Sequence, residues 1–160
     1  MRAAGKSTFP KGSAKLHKLK ARALRYLARR EHSREELARK LAPHAESPEI
    51  LEGVLGELEG RKLLSNHRFA EMRAHILSRK YGAARIRQDL RARGVPQDIV
   101  ARVSEAGDLE RARAILHKKY RAPAATREEH ARRARFLQSR GFSYETIRSA
   151  LSSSTNFSEE

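Results

Sequence analysis

Chemistry near neutral pH would fall first to the seven histidines, because imidazoles titrate closest to pH 7 and ligate metals. No two of them stand at the i, i+4 spacing that puts both rings on one helix face, and His67 and His75 lie eight apart. Surface histidines and no metal site are expected. Gly5-Lys6-Ser7-Thr8 imitates the end of a phosphate loop, but that loop needs an earlier glycine and a preceding strand. Sequence position supports no Ser/His/Asp constellation. The absence of cysteine excludes thiol catalysis, zinc fingers, iron–sulfur sites and disulfides. The expectation is a protein that is not an enzyme and needs no cofactor.

Charge is the informative feature. The chain carries 35 Lys+Arg against 19 Asp+Glu in 160 residues, a formal charge of +16. Such an excess favours a polyanion, since each phosphate neutralised releases counterions. It is also clustered. Arg79, Lys80, Arg85, Arg87, Arg91 and Arg93 are opposed only by Asp89. Basic residues dominate again from Arg111 through Arg135, with Lys118, Lys119, Arg132 and Arg133, and Arg140 follows. By contrast, residues 41–60 hold five Glu and no Lys or Arg. That acidic helix either pairs with the basic first helix or gives the protein a second, negative face; both can hold. Phe69, Phe136 and Phe142 could stack on bases. Phe69 lies on an apolar stripe and Phe142 follows a helix-ending glycine, so both are expected inside. Tyr81 and Tyr120 are better surface candidates.

Helices must position these groups. Hydrophobics are 39% and aromatics 6%, too lean for a sheet buried on both faces. No alternating β-branched run is flanked by hairpin turns. Residues 1–13 read as a flexible basic arm, with Pro10 and Gly12 breaking any helix. Leu16, Leu19, Ala23, Leu24 and Leu27 make the first helical stripe. Ser33 and Glu36 form a capping box for a second helix on Leu37 and Leu41, ended by Pro43. Ser47-Pro48 opens a third on Leu51, Val54, Leu55 and Leu58, closed by Gly60. A fourth runs from Ser65 to Lys80 with Phe69, Met72 and Ile76 inside. Ala83 to Arg93 follows on Ile86 and Leu90, ended by Gly94. Pro96 opens a sixth on Val100 and Val103, ended near Gly107. Asp108 to Tyr120 is a seventh. Thr126 with Glu129 caps an eighth, and Ser143 opens a ninth on Ile147 and Leu151.

The elements group in threes. Leu90-Arg-Ala-Arg-Gly-Val-Pro recurs as Leu137-Gln-Ser-Arg-Gly-Phe-Ser, an offset of 47. Leu37 and Leu41 echo Ile86 and Leu90 more weakly. A period of this size implies stacked helical units. The expected fold is all-α: three tandem three-helix units over 14–64, 65–106 and 107–152, in an elongated, curved array, with a polar tail from 153.

His67-Arg68-Phe69-Ala70-Glu71-Met72-Arg73, then Ser78-Arg79-Lys80-Tyr81-Gly82, Leu90, Gly94 and the late Arg140-Gly141-Phe142 carry a resemblance. Over about residues 23–151 the chain resembles the RecX family of RecA regulators. The family often has acidic residues before Arg-Phe-Ala; here Ser65, Asn66 and His67 stand there, and Ser or Asn can still cap a helix. The resemblance implies a cytoplasmic, non-enzymatic regulator. It would lie along the RecA–single-stranded DNA filament and inhibit ATPase and strand exchange, by blocking extension or promoting disassembly. It implies Arg68, Phe69, Ala70, Gly82, Leu90, Gly94, Gly141 and Phe142 as structural motif residues.

The rival is a helix-turn-helix or non-specific nucleic-acid-binding protein, which Ser33-Arg-Glu-Glu-Leu-Ala-Arg-Lys-Leu suggests. The acidic helix that follows argues against a recognition helix. No 18-residue apolar stretch exists to cross a membrane. The partners expected are the recombinase filament, single-stranded DNA and duplex DNA second, and the protein is expected to be a monomer.

Overall fold

The computed structural model describes residues 11–152, and all of its regular structure is helical. The helices are α1 (Lys11–Arg29), α2 (Arg34–Leu41), α3 (Pro48–Gly60), α4 (Asn66–Leu77), α5 (Ala83–Ala92), α6 (Gln97–Val100), α7 (Asp108–Lys119), α8 (Arg127–Ser139) and α9 (Tyr144–Ser152). A 3₁₀ turn, Ala42–His44, follows α2. Helix α1 reaches back to Lys11, inside the segment expected as an arm. Residues 1–10 and the polar tail from 153 lie outside the described residues. The chain divides into two compact units at Phe69/Ala70, within α4.

In the first unit α1, α2 and α3 pack on one another. Leu19, Ala23, Leu37, Leu41, Val54, Leu55, Leu58 and Leu64 form its core. Leu24 is 42% exposed, so the α1 stripe is narrower than its sequence suggests; Tyr26 packs against the core instead. Caps fix the helix starts. Ser33 Oγ accepts from Glu36 N at 3.0 Å and Ser47 Oγ from Ile50 N at 3.2 Å. The Glu36 carboxylate meets the Arg30 guanidinium at 3.0 and 3.1 Å. Helix α3 does not stop because Gly60 is there; Gly60 is its last helical residue. The left-handed position is Lys62, at φ 59°. Lys62 N and Leu63 N close the end onto Glu59 O and Leu58 O.

The acidic α3 is neutralised locally. Lys20 of α1 reaches Glu57 at 2.6 Å, and Arg34 of α2 bridges Glu52 at 2.6 Å and Glu59. His32 is buried, against the expectation of surface histidines. Its Nδ1 stands 3.0 Å from Arg30 O and its Nε2 2.9 Å from Lys40 Nζ. Lys40 can only donate, so Nε2 accepts and Nδ1 carries the proton. Burial pushes the imidazole below its ordinary value, and the charges of Arg30 and Lys40 add to this.

In the second unit α7 and α8 both pack on α9, around Ala112, Leu116, Leu137, Phe142, Ile147, Ala150 and Leu151. Ile86, Leu90, Val95, Ile99 and Val100 are buried in the preceding module. Two outcomes there differ from the sequence reading. Ile76 is 52% exposed, because α4 ends at Leu77 and its last turn leaves the core. Helix α6 is one turn, and Val103 lies beyond it, half-buried.

The repeat is exact in its hydrogen bonds. Gly94 (φ 74°) and Gly141 (φ 86°) both take the left-handed conformation. Gly94 N donates to Arg91 O and Val95 N to Leu90 O, as Gly141 N does to Gln138 O and Phe142 N to Leu137 O. This is the Schellman ending, which returns Val95 and Phe142 to the core.

Within each unit a helix start takes its cap from a residue far along the chain. Arg34 N, first in α2, donates to Asn66 Oδ1, first in α4, at 2.9 Å. Ala83 N, first in α5, donates to Asp108 Oδ2, first in α7, at 3.1 Å. Gly82, the α5 N-cap, has no side chain to do this work. The α8–α9 turn finishes it: Gly82 N donates to Arg140 O at 2.8 Å and Ala84 N to Gly141 O at 3.2 Å. The approach leaves no room for carbon. A Cβ on Gly82 would lie 2.5 Å from Gly141 O, and one on Gly141 would lie 2.5 Å from Arg85 N.

Asp108→Ala strands Ala83 N and removes the Arg111 partner, so thermal unfolding should show a loss of about 1–3 kcal/mol. Gly141→Ala should cost more than the ~1–2 kcal/mol of a left-handed residue alone, because its Cβ also meets backbone. His32 supplies a pH dependence. Its folded-state pKa is lowered, so its contribution is complete above the ordinary value of 6.5 and is lost as pH falls through the folded value. Melting temperature should drop as pH falls below 6.5, above the carboxylate range, and His32→Gln should flatten that drop.

Candidate nucleic-acid interface

Three helix C-termini of the second unit converge. Past the end of α4 stand Arg79 and Lys80; the last turn of α7 carries Lys118 and Lys119; Arg140 ends α8. Cations belong at such ends, where unpaired carbonyls leave partial negative charge. Together with Ile115 and Phe136 they line a cleft of ≈ 250 Å³ that no carboxylate borders.

Aromatic rings hold two of these cations, Lys119 and Arg140, and two neighbours, Arg85 and Arg133. Arg85 lies 5.6 Å and Arg140 5.3 Å from the centre of the Tyr81 ring. Arg140 is also 5.1 Å from Phe136, and Lys119 Nζ is 3.8 Å from the same ring. Tyr120 meets Phe136 edge-on at 6.3 Å, with Lys119 at 5.7 Å and Arg133 at 4.3 Å from its own centre. The result is an alternating ladder of cations and rings. Each contact is worth about 0.5–1 kcal/mol at exposed sites and limits the freedom of a long side chain. Tyr81, Tyr120 and Phe136 are half-buried under cations, so they order charge rather than offering free faces to bases. Phe69 and Phe142 are buried, as their positions in sequence required.

The cleft thus gathers five sequence candidates: Arg79, Lys80, Lys118, Lys119 and Arg140. The others part company. Arg133 is buried, stacks on Tyr120 and donates to Ala122 O at 2.9 Å, so it is an internal strut. Arg87 donates to Val103 O at 2.6 Å and approaches Glu105 at 3.7 Å, pinning the α6–α7 loop. Arg93 shares Asp89 with Arg73, at 3.2 and 2.7 Å. The Arg73 guanidinium, foremost, holds the Asp89 carboxyl below its usual range. Arg91 is exposed and meets Gln97 Oε1 at 3.1 Å. Arg85 and Arg132 are exposed and outside the cleft lining. Among the described residues no cluster of His, Asp and Glu could hold a metal, and no helix is long and apolar enough to cross a membrane.

Comparison with known proteins decides the family. Models of the RecX first, second and third three-helix domains match in tandem, over residues 20–58, 65–103 and 106–151. The chain belongs to the RecX family. It is 47% identical to the regulatory protein RecX of Leptothrix cholodnii over 136 residues, 83% of this chain and 87% of that one. With the regulatory protein RecX of Neisseria gonorrhoeae it shares 42% over 135 residues, 83% and 88% of the two chains. The crystal structure of RecX from Lactobacillus salivarius has the same fold. Its TM-score is 0.79 at 19% identity, over 88% of this chain and 97% of that one.

The motif residues that carried the resemblance are structural here. Phe69, Ala70, Leu90 and Phe142 are buried, Gly94 and Gly141 are left-handed, and Gly82 abuts Gly141. Arg68 meets Glu31 at 2.8 Å. Before Arg68-Phe69-Ala70, Ser65 Oγ accepts from Arg68 N at 3.2 Å and Asn66 caps α2. The cap of α5 by Asp108 escaped the sequence reading; its one signal was Gly82, an N-cap without an acceptor.

The cleft and the strut should separate under mutation. Lys118→Ala should leave the unfolding free energy within about 0.5 kcal/mol of the parent and weaken single-stranded DNA binding. Arg133→Ala should cost about 1–2 kcal/mol of stability through lost stacking and a lost hydrogen bond, measured by chemical unfolding.

Proposed function

We propose that this RecX-family chain regulates a RecA-type recombinase by binding its filament on single-stranded DNA. It inhibits ATP hydrolysis and strand exchange there, acting in the cytoplasm as a monomer and without catalysis of its own. The cleft formed by the ends of α4, α7 and α8 takes DNA phosphates. One observation carries this assignment: five cations converge on one concavity that no carboxylate borders. Duplex DNA, with the same phosphates, is the weaker ligand, because nothing in the cleft is shaped to read paired base edges.

Operator recognition through α2 and α3 is disfavoured. Helix α3 presents Glu52, Glu57 and Glu59, and the cations that answer them come from this chain. A major groove would meet carboxylates.

The test is recombinase ATP hydrolysis on single-stranded DNA with the protein titrated in. The parent should suppress hydrolysis. Lys118→Glu with Lys119→Glu, both exposed, should need at least about tenfold more protein for the same suppression, since reversing phosphate contacts removes their counterion-release gain. A parent that binds DNA and leaves hydrolysis untouched is a non-specific binder, and the regulatory reading fails.

A further inference from the structure

The first unit has a basic groove of its own, which the cleft of α4, α7 and α8 does not explain. It runs along α1 with a volume of ≈ 440 Å³ and is lined by Lys15, Lys18, Arg22 and Arg25, with His44 at one side and Leu19 beneath. The four cations recur every three or four residues, so they share one helix face. Successive members rise about 4.5–6 Å along the axis. Helix α1 also carries Lys20, which turns the other way and meets Glu57 of α3. Lys15 is the groove member with an acidic partner, Glu46. Among the described residues, Lys18, Arg22 and Arg25 have no ion pair. Local neutralisation therefore consumes one side of α1 and leaves this one charged.

We propose that the α1 groove is a second nucleic-acid site, which holds a single-stranded DNA backbone by its phosphates. Three features select this occupant. The lining contains no acidic residue and no Phe, Tyr or Trp ring, so it offers charge to a repeating polyanion and, apart from the His44 imidazole at one side, no platform for bases. The cations form a linear row, which suits a charged polymer better than a single anion. The whole chain, at +16, is drawn to polyanions before any specific contact forms. One chain then holds two stretches of strand, one in each unit.

The test uses the full chain and no recombinase, so it is independent of the filament reading. The probe is an oligothymidylate of about eight nucleotides, within the range one small site covers. Stoichiometry is measured by calorimetry at low salt. The parent should bind two oligonucleotides. Lys18→Gln/Arg22→Gln/Arg25→Gln should bind one, and so should Lys118→Glu/Lys119→Glu; the combination should bind none. The triple variant should also lose about 2 from the salt slope of the longer-strand affinity, three phosphates at about 0.7 each. Circular dichroism checks the fold; if Arg22→Gln perturbs it, Lys18→Gln/Arg25→Gln, at exposed positions, replaces the triple. A parent that binds one oligonucleotide, still bound by the triple variant, overturns the proposal, whereas one that the triple variant loses keeps the groove and removes the cleft. So does a triple variant that still binds two. If the triple variant loses only its binding to phosphatidylserine vesicles, the groove belongs to a membrane surface and the proposal is equally overturned.

Discussion

The start of α5 is where the second unit is tied together. Three successive N–H groups there, from Gly82, Ala83 and Ala84, find no acceptor in their own helix. Arg140 O, Asp108 Oδ2 and Gly141 O supply all three, from α7 and from the α8–α9 turn. Buried donors left bare cost about 1–3 kcal/mol each, so these bonds fix where α7 begins and how α8 ends. The fit also requires two glycines at the same contact, for opposite reasons. Gly82 yields space to the Gly141 carbonyl, and Gly141 yields both space and a left-handed φ. Three of the family-motif residues, Gly82, Gly141 and Phe142, thus meet at one joint.

That joint positions the charged cleft. Arg140 presents its carbonyl to Gly82 and its guanidinium to Tyr81 and Phe136. Tyr81 directly precedes the capped glycine. The backbone that completes α5 therefore also places the cations past the end of α4 beside those at the end of α8. Lys119 enters through the same Phe136 ring. The packing of the joint and the charge of the cleft thus share one backbone, while Arg133 and Arg87 are bonded elsewhere, to Ala122 O and Val103 O.

Much of this was legible in the sequence, and for identifiable reasons. Leu90 to Val95 and Leu137 to Phe142 repeat because the Schellman ending demands a glycine and then an apolar residue, a pattern with few substitutes. Ser33, Ser47 and Thr126 announced helix starts through local hydrogen bonds. Signals that depend on distant partners were not legible. Nothing near Gly82 names Asp108, 25 residues on. Gly60 looked like a stop, but the chain needed its left-handed residue two positions later, at Lys62. A run of basic residues gives a total charge, not an orientation, so Arg133 and Arg93 could not be told from Lys118 before the packing was known. His32 was read as surface because a single histidine has no periodicity to mark it as buried.

The caps from later residues also order the second unit along the chain. The backbone emerges from the N-terminus, and α5 is complete in sequence by Ala92. Its first acceptor from outside is Asp108, and its last is Gly141. Until those residues are made, the nascent middle module carries open donors at one end and cannot close as a finished piece. The N-terminus of α5 therefore finds its acceptors only in residues of the third module, so the middle module is finished by a stretch of chain that reaches Gly141.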